Sequence, residues 1–380
     1  MLRSLQRLCA VLVTIALALA PQAALAIDTQ PIINESTAAC VTDANGNVLY
    51  DYNSEVEMPM ASITKVMTAM VALDSGIPLD TPVEFTEQDY SEGAQLTGYK
   101  TGDKPSLDEL LRVTLIYSGN DAATNVAYAV AGSKEAFADL MNKKAAELGM
   151  THTHFMNPHG LEEDGHYSCA ADLCKMGRYA MENYPFIRET VHMRSISVAP
   201  GGNRMTLEST DLLMDYYDGL LGIKTGNTES GASFLGSARR GRVTLYSCVL
   251  CCETGEGRWN DTESLLDWGY SLYRDVPLAQ GNMLLRSAPW TDGFWLKCPV
   301  YAPLDITGSV FDNGQIETST STYAPGSFVP ANTTYATSIW RQDGRHLGSS
   351  QYRTSSRPKQ VAAWNPLVMP LFEDMGGVLS

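Results

Sequence analysis

Hydrophobic spacing divides the chain into three textures. Residues 8–20 form a largely apolar, unpatterned run behind Arg3 and Arg7. From there to about residue 276 the apolar positions become periodic. Residues 37–52 hold two β-prone runs around Asp43-Ala-Asn-Gly-Asn47, which predicts a hairpin. From Ser62 to Ser75, Ile63, Val66, Met67, Met70 and Leu73 recur at helical spacing, and Gly76-Ile77-Pro78 ends the pattern. Helices are also predicted over 107–131, over 134–148 with Ser133 as cap, over 170–183 and over 259–274. Residues 220–225, 232–238 and 243–252 read as strands. A hairpin, helices, strands and a closing helix predict an α+β domain with helices packed on an antiparallel sheet.

Beyond residue 276, short β-prone pieces at 294–297, 316–320 and 334–340 alternate with Gly, Pro and Asn, predicting a small all-β domain. The expected organisation is a leader over 1–26, a main domain over 27–276, the β-domain over 277–362 and a tail over 363–380.

The first run is too short for a membrane-spanning helix, which needs about 20 apolar residues. It is followed by Ala24-Leu25-Ala26, a small-x-small cleavage pattern. Residues 1–26 therefore read as an export signal, with the mature chain acting outside the cytoplasm. Losing its two arginines moves the formal charge from −16 to −18. That balance argues against nucleic acid as a partner and against electrostatic attraction to anionic lipid. Seven cysteines remain, an odd number. Cys248 and Cys251 have the spacing of a metal or redox pair but fall in a strand, where alternation sends them to opposite faces. His152, His154, His159 and His166 crowd one stretch without a metal-ligand spacing, and read as a loop beside an active site. No metal or cofactor is expected.

Chemistry is concentrated in three short motifs. Ser62-Ile63-Thr64-Lys65 opens a predicted helix, and the i, i+3 spacing brings hydroxyl and amine to one face. A serine needs a base to become a nucleophile, and a lysine serves once it is neutral. The helix N-terminus and a nearby cation both disfavour its proton. Ser118-Gly119-Asn120 follows an apolar helical run. It is either a plain turn or a proton-shuttling hydroxyl beside a substrate-binding amide. Lys224-Thr225-Gly226 lies on an edge-like strand, where lysine and threonine can bind a carboxylate and glycine admits a substrate backbone. Lys100-Thr101-Gly102 repeats those letters in a Gly/Pro-bounded turn and is set aside.

In this order the motifs resemble the signature of penicillin-binding proteins and class A β-lactamases. The wider text (residues 60–68, 118–123, 157–161, 222–228, and Gly257-Arg258 leading into 265–269) resembles the low-molecular-mass D-alanyl-D-alanine carboxypeptidases. The resemblance implies a transpeptidase-like fold and a Ser62 acyl-enzyme that releases D-alanine from peptidoglycan stem peptides, with β-lactam antibiotics as inhibitors. It implies Lys65 as base, Ser118 with Lys224 handling the leaving group's proton, and Asn120 on the substrate amide. The oxyanion would meet the backbone N–H groups of Ser62 and Asn227, beside Gly226, and Thr225 and Arg258 would bind the terminal carboxylate. Asn227 departs from the residue types usual there, and the tail lacks the basic amphipathic helix that anchors many relatives, so membrane attachment finds no support. The alternatives are a class A β-lactamase, which wants an E-x-x-x-N glutamate that is absent between Ser118 and Lys224, and an inactive wall-binding protein.

Overall fold

The structure, a computed structural model, describes residues 30–360 apart from 88–89, 91–93, 280, 282–283, 290–295, 303, 312–314, 323–331, 333 and 355–358. The leader over 1–26 and the tail over 363–380 lie outside the described residues.

The main body runs β1 (Ala38–Asp43), β2 (Val48–Tyr52), α1 (Thr64–Asp74), α2 (Leu107–Ile116), α3 (Asn120–Ala131), α4 (Lys134–Glu147), α5 (Ala170–Asn183) and α6 (Pro185–Thr190). It continues with β3 (Ser195–Val198), β4 (Met205–Glu208), β5 (Leu220–Thr228), β6 (Gly231–Arg240), β7 (Val243–Cys252) and α7 (Gly255–Ser271). Five strands form an antiparallel sheet in the order β2-β1-β7-β6-β5. The apolar run of β7 is buried on both faces, as expected of a strand covered on two sides. Ala38, Cys40, Leu235 and Cys248 face a core shared with α1 to α6, whereas Ala39, Val41, Phe234 and Val249 pack on Leu265 and Leu266 of α7. The result is a sheet between two helical layers.

Local chemistry explains the joints. In the first hairpin the Asp43 carboxylate accepts the N–H of Asn45 (2.8 Å) and of Asn47 (2.9 Å), an Asx-type turn. Ser106, Ser133 and Thr254 cap α2, α4 and α7 by accepting an N–H three residues on. α1 is buried around nearly its whole circumference, so it is a central helix of the core. The buried Asp261 carboxylate on α7 accepts the N–H groups of Asn34, Glu35 and Ser36, clamping the segment before β1.

Two expectations need correction. The helix predicted over 107–131 breaks at Tyr117–Gly119, because Ser118 adopts φ +70 and the Asn120 N–H leaves the helical ladder for the Gln95 carbonyl (2.8 Å). Cys248 and Cys251 do not diverge either: at Cys251 (φ +53) the strand is irregular, and both cysteines pack on the α1–α6 side.

The β-region begins with β8 (Tyr273–Ala279), directly after α7. It continues through β9 (Leu284–Pro289), β10 (Leu296–Tyr301), β11 (Ile306–Phe311), β12 (Glu317–Thr322), β13 (Thr334–Gln342), β14 (Arg345–Thr354) and β15 (Lys359–Gln360). Its own core includes Val300, Val310, Tyr335, Trp340, Leu347 and Tyr352. β14 alternates buried and exposed positions with few large apolar residues, which is why its sequence gives little sign of a strand. Among the described residues no helix is long and apolar enough to cross a membrane.

Candidate active site

Ser62 sits in a 3-10 turn (Ala61–Ile63) one step before α1, rather than on the α-helix itself. Ala61 has φ +52, a region costly for residues other than glycine. Its carbonyl takes the Thr64 hydroxyl at 2.8 Å. Lys65, in the first turn of α1, is wholly buried. Its Nζ lies 2.6 Å from Ser62 Oγ, 2.7 Å from Asn120 Oδ1 and 2.6 Å from the His159 carbonyl. Two of these three partners can only accept hydrogen bonds. A neutral amine has two N–H donors and one lone pair. Once the donors are given to Asn120 and His159, the lone pair faces the Ser62 hydroxyl, the arrangement a general base needs.

The surroundings weaken the hold of Lys65 on its proton. Burial, and after it the Lys224 cation, hold Lys65 well below the usual lysine range. Lys224, likewise buried, is lowered to about 7 by desolvation and then by Arg258. Burial, and after it Lys65, hold His159 at about 3; His166 stands at about 4, mainly through burial. Neither histidine therefore gains a proton above about pH 5. Acylation by a penicillin is expected to fall as acid protonates the lysines, and His166→Asn should leave that acid limb in place. Lys224→Gln removes a like charge, so the Lys65 proton is held more firmly and the limb should move to higher pH. Stopped-flow acylation between pH 4.5 and 9 measures both; a limb that follows His166 instead would refute the assignment.

Three motifs wall one cavity of about 530 Å³, lined by Ser62, Gln95, Ser118, Asn120, Thr210, Thr225, Gly226 and Asn227 among others. Ser118 occupies the left-handed region and is 6 % exposed. Asp121, beside it, accepts from the N–H and hydroxyl of Thr97, which holds the Gln95 wall against α3. The opposite wall is β5, the free edge of the sheet. A Cβ on Gly226 would lie 2.8 Å from Ala61 Cβ and 3.1 Å from the Met60 carbonyl. Here glycine is required by the nucleophile turn packed behind the strand. Lys224 Nζ donates to its neighbour's carbonyl (3.2 Å) and is 3.4 Å from Thr225 Oγ1. Lys100-Thr101-Gly102 is an exposed turn, with Lys100 paired to Glu87.

Arg258 stands directly against the Lys224-Thr225-Gly226 strand. It is 6 % exposed. Its Nη1 donates to the Gly226 carbonyl (3.1 Å), Asn227 Oδ1 (3.1 Å) and the Ser233 carbonyl (3.3 Å). It holds the β5 backbone.

The structure adds residues that the motifs did not single out. The His159 carbonyl is a direct partner of Lys65, and Thr68 Oγ1 secures this loop by donating to the Pro158 carbonyl (2.6 Å). His166, the buried histidine of that stretch, bonds Thr64 Oγ1 at 2.9 Å. Among the described residues no three His, Cys, Asp or Glu side chains group as a metal site. Thr210 and Gln95 also line the cavity. Their only sequence signal is polarity in a loop.

Comparison with known proteins fits this geometry. The profile of the D-alanyl-D-alanine carboxypeptidase family matches residues 25–254. The chain is 33 % identical over 260 residues to the D-alanyl-D-alanine carboxypeptidase DacF of Bacillus subtilis, covering 67 % of each protein. It resembles penicillin-binding protein D2 of Listeria monocytogenes in its cefotaxime-bound form (TM-score 0.58, 32 % identity, 63 % of this chain and 100 % of that one). A more distant likeness, of fold alone, is to penicillin-binding protein 5 of Haemophilus influenzae (TM-score 0.63, 22 % identity, 87 % of this chain and 99 % of that one).

Proposed function

The chain belongs to the D-alanyl-D-alanine carboxypeptidase family, and we propose that it removes the terminal D-alanine of peptidoglycan stem peptides through an acyl-enzyme on Ser62. The observation that carries this reading is the 2.6 Å approach of the buried Lys65 amine, its pKa lowered by burial, to the Ser62 hydroxyl at the cavity.

Ser62 Oγ attacks the carbonyl between the two D-alanines while its proton passes to the Lys65 lone pair. The oxyanion that forms meets the backbone N–H groups of Ser62 and Asn227; losing one such donor typically costs about 10²–10³ in rate. The C–N bond breaks as the proton held by Lys65 is relayed through the Ser118 hydroxyl, with Lys224 beside it, to the departing amine, leaving a Ser62 ester, a neutral Lys65 and free D-alanine. Water, deprotonated by Lys65, then hydrolyses the ester. Asn120 has its Oδ1 committed to Lys65, which leaves its amide NH₂ to bind the substrate's backbone carbonyl. Thr225 and Arg258 meet the terminal carboxylate, and Arg258 Nη1 also holds the Gly226 carbonyl and Asn227 Oδ1.

Because no E-x-x-x-N glutamate stands between Ser118 and Lys224, a penicillin should acylate Ser62 and leave slowly. We further infer export through residues 1–26 and action on the outer side of the cytoplasmic membrane.

Incubation with a reporter penicillin and with a peptide ending in D-alanyl-D-alanine tests the reading. A long-lived adduct and release of free D-alanine are expected. Fast penicillin turnover would replace it with a β-lactamase, and absence of both adduct and product with an inactive binding protein.

A further inference from the structure

Beside Thr225 a second hydroxyl faces the same cavity. Thr210 Oγ1 is 2.6 Å from Thr225 Oγ1, and both residues line the catalytic cavity. The Thr210 N–H donates to the Ile116 carbonyl (3.2 Å), at the end of α2 just before Ser118. Thr210 therefore ties the wall bearing Ser118 to the wall bearing Lys224 and Thr225. The next residue fixes this bridge: Asp211, 5 % exposed, accepts the N–H groups of Leu213 (3.1 Å) and Met214 (3.4 Å).

We propose that Thr210 is a specificity-determining residue of the substrate pocket, pairing its hydroxyl with that of Thr225 to receive the C-terminal carboxylate of the substrate. This rests on the carboxypeptidase reading above. Each hydroxyl carries one rotatable O–H donor. In the free enzyme one of the two protons is spent between the threonines. When a carboxylate arrives, both can turn outward, one to each oxygen, while Lys224 supplies the positive field behind them. The same pair would receive the carboxylate of a penicillin. A substrate lacking the terminal charge gains nothing from the second hydroxyl.

The test compares Thr210→Val, which keeps the shape and deletes the hydroxyl, with Thr210→Ser, which keeps the hydroxyl. For a peptide ending in D-alanyl-D-alanine, Thr210→Val is expected to raise KM about tenfold with a smaller change in kcat. Thr210→Ser should restore KM to within about twofold. The same peptide with its C-terminal carboxylate amidated should be cleaved slowly and equally by the parent enzyme and Thr210→Val. An unchanged KM in Thr210→Val, or an equal loss on the carboxylate and amide peptides, would overturn the proposal in favour of a purely structural tie. If the parent enzyme releases no D-alanine from any peptide, the carboxypeptidase reading itself fails, an outcome distinct from either.

Discussion

Ser62→Ala is expected to abolish both the penicillin adduct and D-alanine release, with kcat falling by roughly 10⁶-fold, the scale seen when a serine nucleophile is removed from a peptidase. The fold should survive the change. Ser62 is only partly buried, and among the described residues its hydroxyl bonds Lys65 Nζ and, at 3.5 Å, the His159 carbonyl. Lys65 keeps Asn120 Oδ1 and the His159 carbonyl as acceptors after the substitution. The thermal midpoint should therefore stay within about 2 °C of the parent, since surface-type changes cost at most about 0.5 kcal/mol. Intact-mass measurement after incubation with penicillin, alongside a melting curve, checks both halves. An adduct on the Ala variant would place the nucleophile elsewhere.

Gly160→Ala is expected to damage stability and chemistry together. Gly160 has φ +90, and a Cβ there would lie 2.0 Å from the Ala61 carbonyl oxygen and 2.4 Å from its carbon. Backbone cannot yield as a flexible side chain can, so either the 157–161 loop or the nucleophile turn must move. That loop supplies the His159 carbonyl to Lys65. A displacement of about 1 Å at a reacting group can cost about 10²-fold in rate, and penicillin acylation should slow by that order. Stability should drop by about 3 kcal/mol, the left-handed conformation accounting for about 1–2 of it. Gly149→Ala is the control: it has φ +68 but nothing within 4 Å of the added Cβ, so it should show the conformational part alone and acylate normally. If both variants acylate at the same rate, the packing of this loop on the nucleophile turn does not govern the site.

Much of the fold was legible locally. The helical period of 62–75, the apolar run of 243–252 and the Asn-Gly turn of the first hairpin each report a one-dimensional property, burial on one face, on both faces, or a reversal. The break at Ser118 was less so, because apolar spacing continues through it. The left-handed conformation there is imposed by tertiary contacts, with Asn120 bonded to Gln95 rather than to its own helix.

For the site, the order and spacing of Ser62, Lys65, Ser118, Asn120 and the second Lys-Thr-Gly were enough to name the chemistry and to discard Lys100. A signature records residue types that a reaction needs, and these survive any change in their surroundings. What spacing along the chain carries no record of is who stands across the cavity. Only the packed structure places the His159 carbonyl on Lys65, seats Gly226 against the nucleophile turn, ties Arg258 to the Gly226 carbonyl and joins Thr210 to Thr225. The reason is physical: these contacts join residues far apart along the chain, Gly226 with Ala61 and His159 with Lys65 among them, and their geometry follows from how the helices seat on the sheet edge, not from any local pattern.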